Sequence, residues 1–172
     1  MQHPADPGSL RAAPLTRRLL CGTYECLVVL AIMLVASLGF PGAATGRLSG
    51  TAQHLYQIYL LLVVGLYFSW CWARSGQTLP MRTWRIRLAR ADGAPPGPGH
   101  ALTRFMAAAM MYVPGAIGMT MAWKAPGEPW GWMLLAPGAV TLCWPLVDPR
   151  GRFLHDRLAG TVLLDLRPAG PR

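Results

Sequence analysis

Glu25 is the residue whose type and position most invite chemistry. It stands in an otherwise uncharged apolar run, 19–40, and a charged side chain at bilayer depth costs at least about 2.5–3.5 kcal/mol. Arg18 precedes it by seven residues. That is two helical turns, so the pair shares a face but stands about 10 Å apart along the axis, too far for direct contact in a straight helix. Glu25 therefore either stays protonated or finds a cation or hydroxyl on another segment. Two readings stay open: a proton- or cation-handling site, and a polar clasp between helices. A second constellation lies near the C-terminus, where Asp148, Arg150, Arg152, His155, Asp156 and Arg157 crowd together. It reads either as a salt-bridged knot or as a relay in which His155 titrates near neutral pH and passes protons to Glu25. Gly76, Gln77 and Thr78 follow a long apolar run and suit a turn-and-capping device or a ligand loop.

Enzymatic chemistry has little support, and no catalytic residue is assigned. No Ser or Cys stands with a His at matching depth as a nucleophile and its base. Cys21, Cys26, Cys71 and Cys143 lack Cys-x-x-Cys or Cys/His zinc spacing, so no metal ligands are expected. No glycine-rich loop links a strand to a helix, and no cofactor is expected.

The elements that must hold these residues are set by composition. Of 172 residues, 53% are hydrophobic and 13% charged, about half the charge of a soluble domain. Disorder, a soluble nucleic-acid binder and an ordinary cytosolic enzyme are excluded. Four nearly charge-free runs, 19–40, 55–72, 105–123 and 130–147, have the length a helix needs to cross about 30 Å of hydrocarbon. Tryptophans mark their ends: Trp70 and Trp72, Trp123, then Trp130 and Trp132, as expected at membrane interfaces. Pro114-Gly115 and Pro137-Gly138 interrupt the third and fourth runs. They read either as close-packing kinks or as discontinuous helices around a site.

The +9 net charge is distributed by side. Of the 16 Lys and Arg, Arg47 and Lys124 alone fall in the two loops that four spans would place opposite the termini. The positive-inside rule then puts both termini and the middle loop in the cytoplasm. The arginines read as anchors to anionic lipid headgroups, with no nucleic-acid partner. Residues 1–16, rich in proline and poor in large apolar groups, are expected to be a disordered cytoplasmic tail. The membrane domain then spans 17–167, and 168–172 form a second tail.

On the same side, 84–90 alternates apolar residues with arginine, and 160–166 is a second β-prone run. Each alone would leave its ladder groups unpaired, so the two are expected to pair, with Asp165 beside Arg85 or Arg87. The fold class is an all-α membrane protein of four transmembrane helices with a small cytoplasmic two-stranded β element.

Arg18 with Glu25 seven residues on, the segment from Gly76-Gln77-Thr78 to Leu88, and the run His155-Asp156-Arg157-Leu158-Ala159-Gly160-Thr161 together resemble the RDD family of bacterial membrane proteins. The likeness extends over about 16–166. The family pattern holds one arginine and two aspartates. Arg18 matches the arginine, and Glu25 falls where the family has its first aspartate. Asp156 or Asp148 matches the second. The resemblance implies a multi-pass protein of the bacterial inner membrane with a suspected role in transport, including cation/proton exchange. Two function classes follow. One is a small ion- or proton-coupled transporter or transporter subunit, which four spans would complete only as a homo-oligomer or with a membrane partner. The other is a non-transporting scaffold that docks a partner.

Overall fold

The computed structural model describes residues 11–46, 48–149 and 151–167. The tail at 168–172 and the first ten residues of the tail at 1–16 lie outside that set. Three long helices carry the apolar runs: α1 (Leu15–Leu38), α2 (Gly50–Ser75) and α4 (Pro98–Lys124). Each contains or nearly contains its expected span. Short α3 (Leu79–Thr83) and strand β1 (Ile86–Arg90) connect α2 to α4. After α4 come α5 (Pro129–Met133), α6 (Ala136–Cys143), a 3-10 turn over Trp144–Leu146, α7 (Leu154–Leu158) and β2 (Thr161–Asp165).

α1, the stretch Gly50–Thr83 and α4 are long and apolar enough to cross a membrane, yet only 6% of the apolar window of α1 is buried inside the molecule. Leu27, Leu30, Leu34 and Val35 lie largely exposed along it. A soluble chain could not leave such a face to water, whereas lipid is its matching solvent.

The expected fourth span, 130–147, is not one continuous helix. It breaks at Leu134 and Leu135 and ends in the 3-10 turn. Pro137 stands in the first turn of α6, and without an N–H it cannot bond the carbonyl four residues back. Pro145 acts similarly within the 3-10 turn. By contrast Pro114 sits inside α4 without ending it. Small residues let the broken segment lie close to α4. A Cβ added at Gly118 would stand 2.5 Å from the Gly131 carbonyl, and one added at Gly131 would stand 2.7 Å from the Ala122 nitrogen. The close-packing reading of the third run therefore holds at Gly118.

The two strands pair as the alternation requires. β1 and β2 are antiparallel, with Ile86 opposite Asp165 and Arg90 opposite Thr161. β1 is shorter than the apolar–basic pattern suggests because Arg85 adopts a left-handed φ of 53°. The N-terminal stretch is ordered from Arg11, earlier than the boundary at 17. Ala12 bridges Leu164, and the Ala13 N–H donates to Leu163 O at 2.8 Å. This contact covers the outer edge of β2, an edge that an unpaired tail would have left open. A single core joins the sheet to the helix ends: Ala13, Cys21, Trp72, Met81, Ile86, Leu88, Ala101 and Leu163.

Candidate polar site at the sheet end of the helices

Glu25 lies ten residues into α1, about 15 Å from its start. Its partner is a hydroxyl: Thr78 Oγ1 donates to Glu25 Oε1 at 2.6 Å. Thr78 is fully buried and N-caps α3, accepting from the Met81 N–H at 3.3 Å. A hydroxyl has one donor and two acceptor sites, so both roles are filled at once. The clasp therefore ties the acid to the loop after α2. Arg18 does not reach Glu25. Its Nη1 donates to Gly151 O at 2.5 Å, and its guanidinium lies 5.4 Å from the Phe153 ring centre.

The other two residues of the loop motif have separate tasks. Gly76 ends α2 with a left-handed φ of 69°, and its carbonyl accepts from Leu88 N–H at 2.7 Å. Gln77 Nε2 donates to Ile86 O at 2.7 Å. Together they pair the free edge of β1 as a third strand would. Gly76 thus caps α2 and Thr78 caps α3 while also holding Glu25, whereas Gln77 covers a strand carbonyl.

The knot near the C-terminus separates into two parts. In the first, the buried Asp148 accepts from the Arg152 backbone at 2.9 Å and side chain at 3.3 Å, and lies 3.6 Å from Arg157. Arg150 lies outside the described residues. In the second, Asp156 and His155 are buried at the start of α7. Asp156 Oδ1 accepts from Arg104 Nε at 2.7 Å, and Arg104 Nη2 lies 3.4 Å from His155 Nε2. The same guanidinium covers the Trp72 ring at 4.1 Å. Complete burial, the largest single influence, works to raise the Asp156 carboxyl, but the charge and hydrogen bond of Arg104 together with other nearby groups hold it below the usual carboxylate range. Burial pushes His155 down to about 4, against the opposing pull of Asp156. His155 is therefore neutral at pH 7, which favours the salt-bridged knot over the relay, the other of the two readings.

Asp165 stands opposite Ile86 in the ladder, between the register positions of Arg85 and Arg87 as expected, but its carboxylate pairs with other arginines. Arg17 reaches it at 2.7 Å while also donating to Trp84 O, and Arg167 reaches it at 3.0 Å. Partial burial would raise this carboxyl, but hydrogen bonds from Arg167 and Arg17 bring it down to about 2.

Arg104 is the site residue that sequence reasoning missed, counted there only as a topological cation of the middle loop. The available signal was Gly97-Pro98. Proline at the first helical position starts α4 there, seven residues before the expected span, which places Arg104 in its second turn. The ion pair it makes joins α4 to α7, elements far apart in sequence, and no local pattern announces that.

Three apolar helices with buried charges gathered at one end define a membrane-type helical protein. The RDD family matches over residues 12–160, and the chain belongs to that family. No curated protein and no solved structure matches it.

Proposed function

We infer that this chain is a four-crossing protein of the bacterial inner membrane that exchanges protons for a cation, alone as a homo-oligomer or as a subunit. The observation that carries the reading is the partner of Glu25. A membrane-embedded acid held by a neutral hydroxyl at 2.6 Å can gain or lose its proton without stranding a buried cation. An acid paired to arginine could not do so without a large penalty. The Arg104–Asp156 pair supplies a fixed charge arrangement beside it.

The even number of crossings is supported by chain geometry. Residues 11–13, the loop carrying β1, and β2 form one body through the sheet and its edges. Once α4 has carried the chain to its far end at Lys124, the chain must return to place β2 beside β1. The interrupted stretch α5–α6 and its 3-10 turn is the segment available for that return. Cation counts support a cytoplasmic sheet body.

The test is flux in vesicles holding purified protein, with an internal pH dye and imposed sodium or potassium gradients. Cation-driven proton movement is expected for the wild type and lost in Glu25→Gln. Gln keeps an oxygen for Thr78, so its melting temperature should stay near wild type. Glu25→Asp should retain part of the flux. Equal flux in wild type and Glu25→Gln removes this reading. The competing one, a partner-docking scaffold, draws on Arg82, Arg85 and Arg87, which are exposed and have no acidic partner among the described residues.

A further inference from the structure

An open groove of about 420 Å³ runs between α1 and α2, lined by Ile32, Val63, Leu66, Tyr67 and Trp70. Its volume lies within the roughly 300–1,000 Å³ typical of small-molecule sites. Four of the lining residues belong to α2, and 63, 66, 67 and 70 fall on one helical face. Arg74 continues that face one turn beyond Trp70. Its guanidinium lies 5.5 Å from the Trp70 ring centre, and no acid pairs with it among the described residues.

The spacing matches one leaflet. Val63 is at the middle of α2 (Gly50–Ser75), and Arg74 lies eleven residues further on, about 16 Å along the axis. Half of a hydrocarbon core is about 15 Å. An apolar slot thus runs from mid-membrane to headgroup depth and ends at an exposed cation that a tryptophan face orients. An acyl chain fits the slot, and a phosphate meets the guanidinium at its mouth.

We propose that the α1–α2 groove is a binding site for one anionic phospholipid, its acyl chain along Val63, Leu66 and Trp70 and its phosphate on Arg74. A helix from a second copy would also be apolar, but it would bring no anion to Arg74, so charge complementarity selects the lipid. The site does not depend on whether Glu25 moves protons. Its exposed tryptophan and arginine leave the buried Arg104–Asp156 pair untouched.

Nanodiscs of phosphatidylcholine containing a minor fraction of phosphatidylglycerol that carries a photoreactive acyl chain provide the test. Cross-linking should map by mass spectrometry to Ile32, Val63 or Leu66, and unlabelled phosphatidylglycerol should compete better than phosphatidylcholine. Arg74→Gln should lower that preference about fivefold, the effect of one interfacial cation. Val63→Trp should remove the cross-link for either headgroup. Because Arg74 is exposed and Val63 is only partly buried at the open groove, circular dichroism and gel filtration should show each variant folded. If either fails that check, Leu66→Trp takes the place of Val63→Trp and Arg74→Lys, which keeps the preference, that of Arg74→Gln. Equal competition by the two lipids, an unchanged preference in Arg74→Gln, or cross-links shared evenly over all helices overturns the proposal. So does a groove shown by α1–α2 cross-linking to be filled by a second protomer.

Discussion

The Arg104–Asp156 pair is the most heavily committed contact at the residue scale. Both partners are almost fully buried, with side chains 6% and 0% exposed, so each depends on the other for compensation. Removing one leaves a naked charge in a low-dielectric site, which costs about 3–5 kcal/mol. Arg104→Met should therefore lower the melting temperature in detergent sharply. The double variant Arg104→Met/Asp156→Leu should recover much of the loss, since a well-packed apolar pair no longer strands a charge; a double variant as unstable as the single one would show that the pair sets more than charge balance. His155 adds a pH dependence whose sign is fixed by its shift. Its pKa falls from 6.5 to about 4 in the fold, so between those values the unfolded chain binds more protons. Stability is full above pH 6.5 and is lost as pH falls toward 4, by about 3 kcal/mol over the whole window. Asp156, held low, contributes its own loss only below the ordinary carboxylate range. Melting curves from pH 7.5 to 4.5 should show the decline, and His155→Gln should flatten it. Glu25 was legible from sequence as an anomaly because a lone acid in an apolar run breaks composition. Its partner was not, because Thr78 is 53 positions away and ordinary in type.

At the scale of elements, the Gly76-Gln77-Thr78 loop shows how much one turn can carry. Gly76 must adopt a left-handed φ of 69°, and a Cβ there would stand 2.7 Å from Leu88 O. Gly76→Ala should destabilise by at least about 1–2 kcal/mol from backbone conformation alone, with the contact adding to it. Gly22 is a fair comparison, since a Cβ there meets nothing within 4 Å, and Gly22→Ala should leave the melting temperature unchanged or slightly higher. Gln77→Glu should lose about 1–2 kcal/mol, because a carboxylate cannot donate to Ile86 O. A Gln77→Glu variant as stable as wild type would mean that the edge of β1 needs no cover. The strand pair could be read in advance because alternation and unpaired ladder groups both demanded it. The break in the segment after α4 was less readable. Composition marks 130–147 as apolar throughout, while continuity depends on where Pro137 and Pro145 remove backbone donors and on how closely Gly118 and Gly131 let α4 approach. The ordered stretch from Arg11 was hidden for another reason: prolines and few large apolar groups describe a tail well until an open β2 edge offers it a partner.

On the scale of the whole molecule, two independent constraints converge on one arrangement. The first is electrostatic: the cations avoid the loops carrying Arg47 and Lys124 and collect everywhere else, a bias that under the positive-inside rule favours the proposed orientation. The second is mechanical. β1 lies between α2 and α4, β2 lies after α6, and Ala12 lies before α1, yet all three share one sheet body. If start, middle and end meet on one side of a membrane, the number of crossings is even, as the proposed four-crossing topology requires. In that topology the segments following α1 and α4 face the opposite side together. Reporter fusions placed after Ala43, Ala94, Gly127 and Pro168 should read outside, inside, outside, inside. Three crossings would instead put the last fusion on the side of Gly127, and β2 would then have to pair with β1 through the bilayer, which no hydrogen-bonded ladder can do. Reversing the charge bias gives a sharper check. Adding three lysines between Ala125 and Glu128 opposes the natural orientation, but turning the molecule over would carry the whole sheet body and its arginines across the membrane. Insertion should therefore fail or fall in yield rather than invert. A stably inverted, folded protein would show that the sheet body does not set the topology.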